Sequence, residues 1–206
     1  MTKTISKSRL AIILSGLEGF HEPKVRQEQY MMDSEIGASM LWNAFLLGDI
    51  EGKVIADLGC GTGVLGIGAL LLGAKLVYFV DSDEKALEIV KSNISKVKSE
   101  SSKSKLMDQD IGKAILKADT VVQNPPFGTK VRHNDIFFLE KALKTAPVIY
   151  SFHKSETKAF LESFSASHDA KITHTWNFRF PLKAAYSFHR RQIHRINVSC
   201  LRFVKI

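Results

Sequence analysis

Residues 57–66 read Asp57-Leu58-Gly59-Cys60-Gly61-Thr62-Gly63-Val64-Leu65-Gly66, and this stretch decides the fold. It follows the short apolar run Lys53–Asp57, which predicts a strand, and it leads into an apolar run from Val64 to about Leu72, which predicts a helix. A glycine loop between a strand and a helix lets a ligand approach the backbone closely. The stretch therefore predicts an α/β sheet with a nucleotide site at the end of its first strand.

The rest of the chain alternates between helical and strand patterns, as in a doubly wound, mostly parallel sheet. Helices are expected at Lys7–Leu17, Asp33–Leu47, Asp135–Lys144 and Glu156–Ser165, with one more that Asp83 caps. Strands are expected at Leu76–Val80, Lys105–Asp108, Thr120–Gln123 and Val148–Phe152, and Lys171–Phe180 and Arg195–Lys205 alternate like antiparallel strands. We predict a single domain over residues 1–206, with a helical lid and substrate region at 1–50 and a basic strand pair at 171–206.

Positive charge is concentrated at the carboxyl end of the chain. Eight of the 29 Lys and Arg residues, but none of the 21 Asp and Glu residues, lie in residues 171–206, so this segment carries the whole net charge of +8. Aromatic residues, among them Trp176 and Phe178, are interleaved with the basic ones. This composition suits a nucleic-acid backbone with bases to stack on, but a solvated basic edge would have the same composition.

Composition also narrows the class of protein. Of the 206 residues, 45% are hydrophobic and 24% are charged, as in soluble globular proteins. Cys60 and Cys200 are far apart and no histidine pair has the spacing of a zinc-binding helix, so we expect no metal. Glycines and a lysine interrupt the apolar run Val64–Val80, so we expect no membrane span. A reducing compartment fits the cysteine content, and we predict a cytoplasmic location.

The acidic residue ahead of the glycines distinguishes between two kinds of ligand. Gly61, Gly63 and Gly66 match G-x-G-x-x-G, and Asp81 follows Gly61 by twenty residues, which is also the pattern of a dinucleotide-binding dehydrogenase. A carboxylate at Asp57 would repel a pyrophosphate and attract a cation. S-adenosylmethionine carries an ammonium and a sulfonium group and no phosphate, and Asp81 can accept hydrogen bonds from its ribose hydroxyls. The loop therefore favours S-adenosylmethionine as the cofactor.

A second motif, Asn124-Pro125-Pro126-Phe127, follows the predicted strand Thr120–Gln123. The two prolines fix two φ angles and provide no N–H group, and the residue before a proline is held extended. The turn presents the Asn124 amide, the Pro125 carbonyl and the Phe127 ring together. These groups offer two acceptors for an exocyclic amine and a face for a planar ring, although a rigid loop anchored by an aromatic side chain would have the same sequence.

Together these motifs resemble those of Rossmann-like S-adenosylmethionine-dependent methyltransferases. The segments Gly19–Lys24, Glu28–Tyr30, Asn124–Lys130, Tyr150–Ser155 and Ala185–His189 are similar to the small-subunit ribosomal RNA adenine-N6 methyltransferases of archaea and eukaryotes. The likeness implies a Rossmann-like, doubly wound, mostly parallel seven-stranded sheet with an antiparallel C-terminal edge strand. It also implies methyl transfer to the N6 amine of an adenosine in small-subunit ribosomal RNA. Such enzymes work with a small zinc-binding activator protein that adds a strand to the sheet, so an activator is an expected partner besides the ribosomal RNA.

The motifs and the resemblance assign roles to individual residues. The catalytic set is Asn124, Pro125, Pro126 and Phe127. The set expected to bind S-adenosylmethionine comprises Gln29, Asp57, Gly59, Gly61, Thr62, Gly63, Val64, Asp81, Ser82, Asp110, Ile111 and Asn124. The set expected to contact RNA comprises Phe127, Lys130, His153, Lys154, Phe188 and His189. Where the family usually continues Glu-Gln-Tyr with Pro-Thr, this chain has Met31-Met32, so Gln29 is the polar group expected to hold the carboxylate of the cofactor there.

Three other activities fit part of this pattern. A protein glutamine-N5 methyltransferase would use the same turn on a planar amide, but it does not need a basic carboxyl-terminal segment. A guanine-N2 RNA methyltransferase differs only in the selected base. A non-catalytic RNA-binding module would be expected to lack ligand residues, whereas Asp57, Asp81 and Asn124 are all present. Adenine N6 is the predicted methyl acceptor.

Overall fold

Seven strands form one sheet in the part of the chain that the computed structural model describes, which is residues 5–23, 29, 31–98, 101–127, 134–182 and 194–206. The strands are β1 (Val54–Leu58), β2 (Leu76–Asp81), β3 (Ser104–Asp108), β4 (Thr120–Gln123), β5 (Val148–Lys154), β6 (Ala170–Leu182) and β7 (His194–Lys205). The helices are α1 (Lys7–Ser15), α2 (Ser34–Leu46), α3 (Val64–Leu71), α4 (Glu84–Lys96), α5 (Asn134–Thr145) and α6 (Lys158–Ala166). Each helix and strand given above as expected is present, with bounds shifted by a few residues.

The strands lie in the order β3-β2-β1-β4-β5-β7-β6. β1 to β5 pair in parallel, and β7 runs antiparallel to both β5 and β6. The predicted doubly wound, mostly parallel α/β sheet is thus confirmed. The reversed strand is β7, one position inside the edge, because the chain runs out along β6 and returns between β6 and β5. The order reverses between β1 and β4, and doubly wound sheets bind ligands at the carboxyl ends of the strands beside such a point.

Apolar side chains cover both faces of the sheet, because alternate residues of a strand point to opposite sides. In β1, Ile55 packs in a buried cluster with residues of α1, α2 and α3. Ala56 and Leu58 pack in a second cluster with Leu139 and Leu143 of α5. The helix face predicted for α4 is also buried and comprises Ala86, Leu87, Ile89, Val90 and Ile94. Across the described residues, every helix is too short or too polar to cross a membrane.

Candidate active site

The glycine loop and the Asn124 turn leave the sheet side by side. β1 and β4 pair in parallel with Leu58 opposite Gln123, so Gly59 and Asn124 begin neighbouring connections at the same edge. The loop then bends over β2, since the Gly59 N–H donates to the Val80 carbonyl at 2.8 Å. The two sequence motifs therefore meet at the point where the strand order reverses.

Glycine is required in the loop at two positions where the backbone is left-handed and an aromatic ring lies close. Gly59 and Gly61 have φ angles of 65° and 52°, a region that residues with a Cβ rarely adopt. A Cβ at Gly59 would stand 2.7 Å from Phe138 Cε1, and a Cβ at Gly61 would stand 3.0 Å from Phe20 Cζ. The loop is therefore held in one shape, with the Phe20 ring of the N-terminal region against it.

Asp57 lies beneath the loop rather than in the open. Asp57 is only 2% exposed to solvent, and its Oδ2 accepts a hydrogen bond from the Gly66 N–H of α3 at 2.8 Å. Burial raises the pKa of Asp57 to about 7, a shift that the Gly66 hydrogen bond opposes and the Asp81 charge reinforces. The carboxyl group thus fixes the start of α3 relative to β1 and places negative charge under the loop above neutral pH.

Asp81 ends β2 and faces the loop. Its Oδ2 accepts a hydrogen bond from the Gly61 N–H at 2.8 Å, and its Oδ1 accepts one from the Asp83 N–H at 3.0 Å. Burial raises the pKa of Asp81, and the hydrogen bonds from Gly61 and Asp83 oppose that shift. The carboxylate is therefore held in a fixed orientation. Each oxygen has a further lone pair, which leaves room for the predicted hydrogen bonds from ribose hydroxyls.

The charge around the loop fits S-adenosylmethionine better than a pyrophosphate. Burial and the charges of Asp57 and Asp81, two carboxyl groups beside the loop, all raise the pKa of the Cys60 thiol. Such a site favours a ligand that carries a sulfonium and an ammonium group and opposes one that carries phosphates. The same shift keeps Cys60 protonated, so this residue is a small loop side chain rather than a nucleophile.

Gln29 connects the N-terminal region to the end of β2. Its Nε2 donates a hydrogen bond to Asp83 Oδ2 at 2.7 Å, and Asp83 occupies the N-cap position of α4, as the sequence predicted. Ser82, between Asp81 and Asp83, is exposed. Gln29 and Ser82 thus lie beside Asp81, where cofactor-binding groups were expected, and a direct bond from Gln29 to the carboxylate of the cofactor stays a prediction.

Asn93 joins the N-terminal region to the glycine loop, and it was absent from the predicted set. This fully buried side chain accepts a hydrogen bond from the Glu18 N–H at 2.7 Å. Its Nδ2 donates to the carbonyl oxygens of Glu18 at 3.0 Å and of Thr62 at 3.1 Å. The signal in the sequence was a polar residue on the apolar side of α4, between Val90 and Ile94. Because every bond goes to backbone, Asn93 fixes the two segments relative to each other.

The remaining predicted cofactor residues lie around the ends of β1 and β3. Val64 begins α3 and is buried. Asp110, exposed after β3, accepts a hydrogen bond from the Gly112 N–H at 2.8 Å through Oδ1. Ile111 is 6% exposed and packs in the cluster on the α5 side of the sheet. The contacts of Asp110 and Ile111 with an adenine ring stay predictions.

Asn124 carries an acceptor without a hydrogen-bond partner. Its Oδ1 is buried and makes no hydrogen bond within the described residues. Leaving such a group unsatisfied costs about 1–3 kcal/mol, so an instance in a folded protein needs an explanation, and a ligand is one. Pro125 is buried and Pro126 is half-buried, so the turn itself is anchored. The unpartnered oxygen is the atom predicted to bind the target amine.

Phe127 is not the open stacking face that its sequence position suggested. Its residue surface is 7% exposed, and its ring packs edge to face on Phe180 of β6, with centroids 6.0 Å apart and planes at 84°. Such a pair contributes about 0.5–1.5 kcal/mol beyond its buried area. In this structure Phe127 anchors the turn to β6, and stacking on a target base stays a prediction.

The prediction that His153 contacts RNA directly is wrong for this structure. β5 extends to Lys154 rather than ending at Phe152, so His153 is still a strand residue, and its side chain points inward on the same face as Ser151. His153 is fully buried, and its Nε2 lies 2.7 Å from Ser151 Oγ. Lys154, the last residue of β5, is half-buried.

Three of the predicted RNA contacts, Lys130, Phe188 and His189, lie outside the described residues. Of the predicted site, the structure therefore brings together the glycine loop, Asp57, Asp81, Gln29 and Asn124.

Comparisons with known proteins identify the family of the chain. The model of the methyltransferase small domain matches residues 32–149. The zebrafish (Danio rerio) rRNA N6-adenosine-methyltransferase METTL5 is 38% identical over 92% of this chain and 94% of its own length. An uncharacterised protein of Methanocaldococcus jannaschii is 34% identical over 98% of this chain and 95% of its own length. A crystal structure from Pyrococcus horikoshii superposes with a TM-score of 0.91 at 42% identity, covering 99% of this chain and 100% of that one.

Proposed function

This chain belongs to the methyltransferase small domain family and, within it, to the rRNA N6-adenosine-methyltransferases, and from that premise we propose that it methylates the N6 amine of an adenosine in small-subunit ribosomal RNA. The family expected from the sequence motifs is thereby confirmed. The single observation that supports this chemistry best is the buried, unpartnered Oδ1 of Asn124 beside the glycine loop.

The methyl donor is S-adenosylmethionine, which supplies an electrophilic methyl group on a positively charged sulfur. Asp81 at the end of β2 is oriented by two N–H groups and accepts the ribose hydroxyls. The Asp57 charge beneath the loop favours the cationic groups of the donor and disfavours phosphate-bearing nucleotides. The Phe20 ring against Gly61 and the Gln29–Asp83 bond cover the site from the N-terminal side.

The target amine is held by the Asn124 turn. The N6 amine of adenine is conjugated with the ring and is a poor nucleophile. Hydrogen bonds from its two N–H groups to Asn124 Oδ1 and the Pro125 carbonyl favour a pyramidal nitrogen and direct its lone pair toward the donor. Most of the rate enhancement then comes from positioning and electrostatics, and no strong general base is required because the proton leaves after transfer.

RNA approaches along the strand pair β6–β7. The target base must be turned out of its helix to reach Asn124. Phe180 of β6 packs against Phe127, so the strand pair is attached to the catalytic turn. Arg179 and Arg195, which lie close to Phe180 along β6 and β7, are exposed and available to phosphates. RNA contacts by Lys130, Lys154, Phe188 and His189 stay predictions from the sequence.

An activator protein is part of this proposal. β3 is an outer strand of the sheet, and its Leu106 is 39% exposed. Two more large apolar side chains are exposed in the chain that follows: Ile115 by 96% and Phe137, whose ring lies against Gly112, by 44%. A partner that adds a strand to β3 would cover them. Leu106→Glu should abolish co-purification with a small zinc-binding activator, and unchanged co-purification would place the partner elsewhere. The cytoplasm remains the predicted location.

Two substitutions test the assignment of roles. Asn124→Ala removes the acceptor for the amine and should lower the methylation rate of RNA by about 100-fold. Because this proposal assigns Asn124 Oδ1 to the amine rather than to the donor, affinity for S-adenosylmethionine in calorimetry should be unchanged, and a loss of affinity would support the cofactor contact expected from the sequence. Asp81→Ala should instead abolish cofactor binding. The reverse pattern, or undiminished methylation by Asn124→Ala, would refute the mechanism.

A further inference from the structure

A line of buried polar side chains runs beside the catalytic turn and joins β4, β5 and α5. Gln123 Nε2 donates a hydrogen bond to Ser151 Oγ at 2.9 Å, and Ser151 Oγ lies 2.7 Å from His153 Nε2. His153 Nδ1 lies 3.6 Å from Asp135 Oδ2, a carboxylate that is 18% exposed. Gln123, Ser151 and His153 are all fully buried. Burying polar groups is unfavourable unless they are paired, and the chemistry proposed above leaves these three without a role.

One arrangement of protons fits the two contacts of Ser151, while Gln123 Oε1 and His153 Nδ1 have no hydrogen-bond partner within the described residues. Because the Gln123 amide donates to Ser151 Oγ, the serine hydroxyl proton can be donated to His153 Nε2. That nitrogen is then unprotonated, and the proton of the neutral ring is on Nδ1, which faces Asp135. At 3.6 Å this last pair is too far apart for a hydrogen bond, and the Nδ1–H dipole of the neutral ring faces the Asp135 carboxylate. The His153 ring is also the main reason that the pKa of Asp135 is lowered.

The polar line holds both ends of the segment that carries the catalytic turn. The chain leaves the sheet after Gln123, so Asn124 is the first residue of the connection. The described structure resumes with α5, in which Asp135 is the second residue. Gln123 at one end and Asp135 at the other both meet the Ser151–His153 pair on β5. The carboxyl end of β4 and the start of α5 are therefore both in contact with the same two side chains of β5.

The polar line is separate from the cofactor site. Gln123 shares its face of the sheet with Val121, two residues earlier in β4, and Ser151 shares the same face with Ile149 of β5. That face is covered by α5, whereas Asp57 points to the other face and bonds to α3. A change in the polar line should therefore affect the acceptor side of the reaction and leave the donor side intact.

We propose that Ser151 and His153 are positioning residues, which hold the carboxyl end of β4 through Gln123 and the start of α5 through Asp135, and so place Asn124 Oδ1 and the Pro125 carbonyl at the target amine. This inference rests on the proposed function and deepens it. A misplacement of about 1 Å in a reacting group can lower a rate by about 100-fold, so a small change in this support has a measurable effect.

The test compares two buried serines. Ser151→Ala removes the hydroxyl between Gln123 and His153. The matched control is Ser199→Ala, which removes a hydroxyl on β7 that is 1% exposed and bonded to Ser155 at 2.8 Å and Asn177 at 2.7 Å. Each variant loses a hydroxyl with two polar contacts, which are buried for Ser151 and partly buried for Ser199. The measurements are the turnover rate at saturating donor and RNA, the KM for RNA, the donor affinity by calorimetry and the thermal midpoint.

We expect the two serine variants to melt at similar temperatures but to differ in rate. Ser151→Ala should lower the turnover rate by about 10-fold to 100-fold with unchanged donor affinity, and Ser199→Ala should retain the wild-type rate. Ser151→Thr restores the hydroxyl and should recover rate. Asp135→Asn, at a partly exposed position where unfolding is a smaller risk, should also lower the rate without affecting donor affinity.

The outcomes separate this inference from the proposed function. If wild-type protein methylates adenosine but Ser151→Ala and Ser199→Ala have equal rates, the positioning role is refuted and the proposed function stands. If Ser151→Ala weakens donor binding as much as it lowers the rate, the role is likewise refuted. If the wild-type protein with its activator methylates no adenosine, the proposed function falls and the inference falls with it.

Discussion

Replacing Asp57 by Asn should stabilise the protein above neutral pH and weaken its hold on the methyl donor. Asp57 is buried beneath the glycine loop and accepts one hydrogen bond, from the Gly66 N–H at 2.8 Å. An asparagine oxygen can accept the same bond without carrying a charge into the low-dielectric interior. The substitution therefore removes the burial penalty of an ion and keeps the contact that orients α3.

The size and the sign of the effect follow from the pKa of Asp57. Burial raises it to about 7 in the folded protein, against about 3.9 in an unfolded chain. Each unit corresponds to about 1.4 kcal/mol, so the full effect is on the order of 4 kcal/mol. Because the folded state prefers the protonated carboxyl, its stability contribution is present below about pH 4 and is lost as the pH rises through 7. Asp57→Asn should thus match wild type near pH 4 and exceed it in stability at pH 8.

The assay is urea unfolding from pH 4 to 8, with donor affinity measured by calorimetry at the same pH values. Asp119→Asn is the control, because Asp119 is exposed and also accepts one backbone hydrogen bond, from Val54 N–H at 2.7 Å. Wild type and the control should lose stability across this range, and Asp57→Asn should lose less. Donor affinity of wild type should rise through pH 7, whereas that of Asp57→Asn should stay low. An Asp57→Asn protein that is less stable than wild type at pH 8, or that binds the donor normally, would refute the role assigned to this charge.

Three further substitutions probe the parts that support the site. Asn93→Ala removes two hydrogen bonds to the Glu18 backbone and one to the Thr62 carbonyl of the glycine loop. It should cost about 2–4 kcal/mol of stability and weaken donor binding, whereas Ser92→Ala at the exposed neighbouring position should be nearly neutral. Gly66→Ala would place a Cβ 2.3 Å from Phe79 Cε1 and should lower the free energy of unfolding by about 1–3 kcal/mol. Gly16→Ala is the control and should be tolerated, because the nearest atom to its Cβ would be 3.4 Å away. Asp49→Ala removes the acceptor of the Tyr150 hydroxyl, at 2.6 Å, and of Arg202 Nε, at 2.8 Å. It should lower the free energy of unfolding by about 3 kcal/mol without affecting donor affinity.

Unfolding curves and donor titrations check all three substitutions. Equal stability of Asn93→Ala and Ser92→Ala would contradict the structural role of the Asn93 amide. A Gly66→Ala variant as stable as Gly16→Ala would disprove the tight packing of α3 against Phe79 of β2 and Asp57 of β1. A loss of donor affinity in Asp49→Ala would contradict the prediction that this residue, which precedes β1, affects stability alone.

The fold could be predicted because its signals are local. The periodicity of α4, the glycine loop after β1 and the prolines after β4 each reflect short-range constraints that a single sequence displays. The position of β7 between β5 and β6 is a long-range pairing, and the pattern of its residues is the same at an edge or one place inside it. The alternation of apolar and polar residues therefore indicated the two strands β6 and β7, but it did not determine which of them lies at the edge of the sheet.

Site residues could be predicted where the backbone geometry requires a particular residue type. They were missed where the role of a side chain depends on whether the fold buries it. Gly61 and Asp81 lie at the positions that the loop geometry requires, and the structure joins them directly. His153 was misjudged because two further strand residues extend β5 and turn its side chain inward, and strand ends are set by pairing with β7 rather than by local sequence. Asn93 was overlooked since a buried polar residue reveals its partners only when distant segments meet.

The most direct measurement incubates the protein, with its activator, labelled S-adenosylmethionine and small ribosomal subunits from a strain that lacks the gene. Digestion of the RNA to nucleosides then identifies the methylated base by chromatography and mass spectrometry. N6-methyladenosine should carry the label with wild-type protein and should be lost with Asn124→Ala. Label in methylguanosine or in ribosomal protein would show that the Asn124 turn holds a different planar amine or amide and would contradict the assignment.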